Sequence, residues 1–213
     1  MSYGLEIRNS SNQIVIDDTL ICLHSSSPQV SVGNAPKVVR EWKTPDGTGA
    51  YVTTVYTHTI ACGQNDLVFL NLETDEIAWG GTYSSGSRTF LVNKSSVNYI
   101  IAKKPTSVGT YGLAVYNSSG ELTYSADENL LSIKAAGELL NTLTNSGANY
   151  YSLTQSTSLI NFDSYSRGRV DFYLYVISST QLSQIAMLEP ISFLPFLGST
   201  GFPSIYVMAA KVG

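Results

Sequence analysis

The chain has 213 residues, with 12 Lys and Arg against 16 Asp and Glu, and a formal net charge of −4. Charged residues make up 13%, against about 25% in an ordinary globular protein, so Ser, Thr, Asn, Gln and Tyr must form much of the surface. The negative balance and the scatter of the cations exclude a nucleic-acid partner, which needs clustered Lys and Arg opposite phosphate.

The opening, MSYGLEIRNSS, lacks the basic and apolar regions of a secretory signal, and is read as the start of a chain made in the cytoplasm. Residues 3–17 form a hairpin pattern: Tyr3-Gly4-Leu5 alternates into Asn9-Ser10-Ser11-Asn12, residues that tolerate positive φ and bond their own backbone. Next comes LICLH (20–24), whose His24 reads as an exposed strand end. Cys22 and Cys62 read as reduced buried thiols in such a chain. A structural zinc would need both of them to converge with His24 and His58, so no metal or cofactor is expected. AYVTTVYTHTI (50–60) is β-branched and aromatic and predicts a strand. Its His58 shares a face with Val52, Tyr56 and Ile60, the setting of a half-buried, satisfied imidazole rather than a base. DLVFLNL (66–72) is an apolar run of strand length, and GGTYSSGS (80–87) reads as a turn.

VNYIIAK (97–103) predicts another strand, and KKPTSVGT (103–110) a joint, because Pro105 stops a ladder and Gly109 permits a turn. YGLAVYNSSG (111–120) is a second hairpin opening. AAGELLNTL (135–143) is the one segment with helical composition, weakened by Gly137. TNSGAN (144–149) and SRG (166–168) read as turns, VDFYLYVIS (170–178) and SIYVMAAK (204–211) as strands. Between the last two, LEPISFLPFLGSTGFPS (188–204) sets Phe193, Leu194, Phe196, Leu197 and Phe202 among three prolines. An apolar loop of this kind is covered by a partner or tucked into the core, and a subunit contact is the favoured reading. Ile185 to Ala210 is too interrupted by Pro, Gly and Glu189 for a membrane helix, so no membrane insertion is expected. Many short strands with Gly-rich turns imply an all-β sandwich or barrel.

The chain also repeats itself. Tyr3, Gly4, Leu5, Asn9, Ser10 and Ser11 recur as Tyr111, Gly112, Leu113, Asn117, Ser118 and Ser119. LICLH corresponds to LLSIK (130–134), DLVFLNL to DFYLYVI (171–177), and YIIAKK (99–104) to YVMAAK (206–211). Matching segments in one order point to duplication: two tandem β-sandwich-like units, 1–107 and 108–213, standing apart or packed as one body.

SYGLEIRNSSNQIVID and YGLAVYNSSGELTYSADENLLSI resemble the opening of a family of small bacteriophage tail-fibre or tail-associated proteins, in which YGL.V.N..G...FDS begins a β-rich domain. Asn12 departs from that pattern, as does Tyr124-Ser125-Ala126. The resemblance implies a structural virion protein of the tail that meets other tail proteins, forms a homo-oligomer such as a trimer, and helps attach the particle to a host surface glycan. It carries no catalytic residues, and the residues suggest none. The acid pairs Asp17-Asp18, Asp75-Glu76 and Asp127-Glu128 are neighbours in sequence, so on a strand they point to opposite faces; they read as solvated turn acids. The alternative is a lectin. Weakly charged β proteins rich in Tyr stack sugars on exposed rings, and Trp42, Trp79, Tyr83, Tyr150, Tyr151 and Tyr165 are flanked by turn residues. Trp79 and Tyr83, bracketing Gly80-Gly81, are expected to share a loop tip and form a contact surface.

Overall fold

The computed structural model describes residues 6–8, 14–17, 23–41, 52–108, 113–126, 129–138, 143–144, 148–155, 158–162, 167–178, 181–190 and 206–212. Among them every regular element is a strand. The first half contributes β1 (Glu6–Arg8), β2 (Ile14–Asp17), β3 (His24–Ser25), β4 (Gln29–Val32), β5 (Asn34–Glu41), β6 (Val52–Ala61), β7 (Leu67–Asn71), β8 (Ile77–Ser84), β9 (Ser87–Val92) and β10 (Ser96–Lys103). The second contributes β11 (Ala114–Tyr116), β12 (Leu122–Ser125), β13 (Leu131–Glu138), β14 (Leu143–Thr144), β15 (Tyr150–Gln155), β16 (Ser158–Phe162), β17 (Arg167–Ser178), β18 (Gln181–Pro190) and β19 (Tyr206–Val212). The protein is all-β. The segment of helical composition, 135–143, is strand through Glu138: it belongs to β13, laddered to β19 from Leu131↔Val212 to Glu138↔Tyr206. Helix propensity is worth only tenths of a kcal/mol per residue and yields to such pairing.

Two hairpins, β1-β2 and β11-β12, stand beside two large antiparallel sheets. One sheet runs β13-β19-β15-β7-β10-β3, with β4 also on β10. Its ends meet: Ser25 N donates to Asn129 O at 2.8 Å and Leu131 N to Leu23 O at 3.0 Å, joining β3 to the start of β13. The other sheet runs β14-β18-β5-β6-β9-β8-β17-β16, and β17 pairs with β18 as well. Six of its strands therefore close into a second ring.

The main core lies between the two sheets. Val68 and Leu70 of β7, Tyr151 and Leu153 of β15, Phe90 and Val92 of β9, and Leu174 and Val176 of β17 meet there. The alternate residues of the same strands fill a second layer behind each sheet. Phe69, Ile100, Tyr150 and Ala210 cluster behind the first, and Val39, Val55, Ile77 and Leu91 behind the second. Strands buried on both faces need unbroken apolar runs rather than alternation, which is why LVFL and YIIA appear as they do.

Both halves feed both sheets. Ladders β15–β7, β17–β8 and β18–β5 join strands from either side of residue 107. Positions in the two halves nonetheless correspond. Outward from the middle of the first sheet run β7-β10-β3 on one side and β15-β19-β13 on the other. In the second sheet the corresponding paths are β8-β9-β6 and β17-β18-β14. The hairpins share a register: Glu6↔Asp17, Ile7↔Ile16 and Arg8↔Ile14, with a bulge after Ile7, against Ala114↔Ser125, Val115↔Tyr124 and Tyr116↔Leu122, with a bulge after Val115. LICLH and LLSIK lead into or form β3 and β13, and YIIAKK and YVMAAK form β10 and β19, each pair at corresponding places. The match of DLVFLNL with DFYLYVI is corrected, because β7 lies in one sheet and β17 in the other; the strand that mirrors β7 is β15.

The GG of GGTYSSGS is not a turn. Gly80 and Gly81 lie inside β8, at φ of +112° and +94°, in a register irregularity between Gly80 and Tyr83. A Cβ on Gly80 would strike the Thr89 carbonyl, and one on Gly81 the Leu153 carbonyl of β15. Here the two sheets touch backbone to backbone, which only glycine allows. The chain reverses later, at Ser85-Gly86.

Candidate functional site

A recess of about 310 Å3 opens where the first sheet closes on itself, lined by His24, Ser25, Ser26, Ser27, Lys103, Thr106, Ser107 and Asn129. Three stretches build it: β3 with Ser26-Ser27 behind it, the end of β10 with the residues that follow it, and the segment leading into β13. Backbone bonds set its walls, Ser26 N donating to Ile101 O at 2.8 Å and Ser26 Oγ accepting from Ile101 N at 2.9 Å. His24 is buried, not the exposed strand end expected, because the β11-β12 hairpin folds over it; its ring lies 6.0 Å from that of Tyr124. Lys104 anchors the hairpin through Glu121 at 2.7 Å, and this hydrogen bond holds the Glu121 carboxyl below its ordinary range. Neighbouring Lys103 is exposed and faces the recess, and no carboxylate among the described residues pairs with it. A recess offering one ammonium, several hydroxyls and an amide can hold a small polar ligand; its volume is at the low end of the usual range of about 300–1,000 Å3.

The expected contact pair is arranged differently. Trp79 sits in mid-strand, partly buried against Val39, Val55, Ile77 and Leu91, so its ring serves the layer behind the second sheet rather than a loop tip. Tyr83 lies beyond the glycine irregularity, near the turn, with the Arg88 guanidinium 5.8 Å from its ring centre. That guanidinium donates to the carbonyls of Gly81 (2.5 Å), Asp66 (3.2 Å) and Gln64 (3.1 Å). Tyr150 and Tyr151 are buried, not exposed: both fill core layers. The Tyr151 hydroxyl donates to Ala148 O at 2.8 Å, and burial pushes its pKa up to about 12. Trp42, Tyr165 and the segment holding Phe193, Leu194, Phe196, Leu197 and Phe202 lie outside the described residues, as do Cys22, Asp18, Asp127 and Glu128.

His58 is completely buried and satisfied. Its Nε2 donates to Lys94 O at 2.8 Å, which leaves Nδ1 to accept from the Ser31 hydroxyl at 3.1 Å. Because Ser31 is on β4 and His58 on β6, the ring ties the two sheets together. Glu76 is not a solvated turn acid: it is buried, accepts from Glu73 N at 2.8 Å and meets Lys94 Nζ at 2.5 Å. Burial pulls the Lys94 pKa down, but the bond and charge of Glu76, followed by those of Glu73, outweigh it and leave the value raised. Cys62 is a free, half-buried thiol whose pKa rises through desolvation, with Arg88 opposing. Among the described residues no group of three His, Cys, Asp or Glu could hold a metal, and no helix is long and apolar enough to cross a membrane.

Residue patterns drew attention to aromatics and passed over the recess. Its one legible signal is that Ser25-Ser26-Ser27 stands where the repeat has Ala135-Ala136-Gly137. No family model, curated protein or solved structure matches the chain.

Proposed function

We propose that this chain is a non-enzymatic bacteriophage tail protein, a duplicated β scaffold with a structural and adhesive role in the virion. The observation that carries this is the pair of YGL…NSS hairpins with one register and one bulge position, since these segments bear the resemblance to tail-associated proteins. The titratable groups most suited to catalysis are spent on structure: His58 on a sheet-to-sheet tie, and Glu76 on Lys94 and a turn. Assembly has support in exposed valines on both sheets: Val30 and Val32 of β4 in the first, and Val38 and Val52 on the paired strands β5 and β6 in the second. Exposed apolar groups grouped in this way mark contact surfaces. In this proposal Phe193, Leu194, Phe196, Leu197 and Phe202 complete the subunit contact of a homo-oligomer, a trimer by the resemblance, with neighbouring tail proteins and host glycan as partners.

Light scattering on the purified chain tests it. A mass of several chains is expected, falling to one chain in a Phe196→Asp, Phe202→Asp double variant. A wild-type monomer at micromolar concentration rejects assembly. The hydroxyl-lined recess favours a second reading, a free-standing lectin, and glycan-array binding by a stable monomer selects it.

A further inference from the structure

We infer that the recess between β3, β10 and the entry to β13 binds an anionic sugar unit, one carrying a carboxylate or a phosphate. This deepens the adhesive part of the proposed function and rests on it.

The two halves act as each other's control. Where β10 and β19 correspond, the buried positions keep their character: Ile100 with Val207, Ala102 with Ala209. The residues lining the recess do not. Ser25, Ser26 and Ser27 face Ala135, Ala136 and Gly137 at the matching places, and Lys103 faces Ala210. Ser25 and Ser26 also serve the fold, Ser25 Oγ donating to Asn129 O and Ser26 Oγ joining Ile101 N to Ser27 O, but the matching places fold with alanine and glycine. The Ser27 hydroxyl and the Lys103 ammonium are the chemistry added to one copy.

The form of that chemistry selects the ligand class. Lys103 supplies an exposed ammonium with no carboxylate partner among the described residues, in a chain whose net charge is negative. Such a group favours an anion, and its contribution falls as salt is added. The neighbouring Ser27 hydroxyl and the Asn129 amide donate and accept at once, as a ring of sugar hydroxyls requires. A bare inorganic anion would leave most of those groups unused, and a neutral sugar would leave the ammonium unused.

Titration of the 15N-labelled full chain, followed by amide shifts, tests this with four probes: glucuronic acid, glucose 6-phosphate, glucose and inorganic phosphate at millimolar concentration. At least one anionic sugar is expected to shift the amides of 24–27, 101–104, 106 and 107, and the tighter of the two identifies the acid group. Lys103→Gln should weaken that binding at least tenfold, while Lys134→Gln, at the place matching His24, leaves it unchanged. Silence at those amides overturns the inference, as does undiminished binding by Lys103→Gln. Equal shifts from glucose, or from inorganic phosphate alone, overturn the anionic-sugar assignment. Light scattering reads assembly separately, so an oligomer that ignores all four probes sinks only the site, and a sugar-binding monomer sinks only the virion scaffold.

Discussion

Replacing Gly81 by alanine is expected to separate the two sheets at their closest point. The new Cβ would lie under 3.0 Å from the Leu153 carbonyl oxygen of β15, nearer than real Cβ atoms approach, and that neighbour is backbone; the next, at 3.2 Å, is Cε1 of the buried Phe90 ring. The φ of +94° adds strain for any L side chain, about 1–3 kcal/mol. Forcing packed strands apart costs about another 1–3 kcal/mol, giving roughly 2–6 kcal/mol in all. In a chain of this length each kcal/mol moves the melting temperature by about 2–4 °C, so a drop of about 8–16 °C is expected at the middle of that range. Gly86→Ala provides the comparison. Its φ is +85°, but nothing lies within 4 Å of the added methyl, leaving only the left-handed penalty of about 1–2 kcal/mol. Thermal unfolding followed by circular dichroism measures both. If Gly81→Ala melts no lower than Gly86→Ala, the sheets are not in backbone contact at this point and the packing described above is wrong.

Tyr151→Phe should cost about 1 kcal/mol at neutral pH, the worth of its bond to Ala148 O. The folded pKa of Tyr151, about 12, lies above the unfolded value of about 10, so wild-type stability from this group is complete below pH 10 and lost as pH rises towards 12. The loss reaches up to about 2.7 kcal/mol, and urea unfolding of the phenylalanine variant should lack it. Arg88→Met removes three bonds to carbonyls and the contact with Tyr83; a loss of about 2–4 kcal/mol is expected, checked by the shift in denaturant midpoint. Asn117 Oδ1 accepts from Ser119 N and Glu121 N, so Asn117→Ala should loosen the β11-β12 turn by about 1 kcal/mol. Faster hydrogen exchange at those two amides, with the rest of the chain unchanged, is the expected sign.

By itself the sequence determined the all-β class, the strand runs at 50–60, 66–72, 97–103 and 170–178, and the hairpin chemistry of NSSG. It also showed that segments recur at two places in the chain. These properties are local: β-branched and aromatic residues, turn residues and their spacing act over a few positions. Only the tertiary structure decided which strands became neighbours. GG read as a turn because glycine permits one, yet Gly80 lets β8 close against β9 and Gly81 serves a crossing with Leu153 of β15, far away in sequence. Trp79, Tyr150 and Tyr151 looked exposed beside turn residues, but sheets that close from both halves bury both tyrosines and partly bury Trp79. The β7 sequence resembles that of β17 because both are apolar runs of strand length, but its place in the fold is mirrored by β15. The recess stayed hidden for the same reason: Ser27, Lys103 and Asn129 are ordinary polar residues until long-range ladders bring β3, β10 and the start of β13 together.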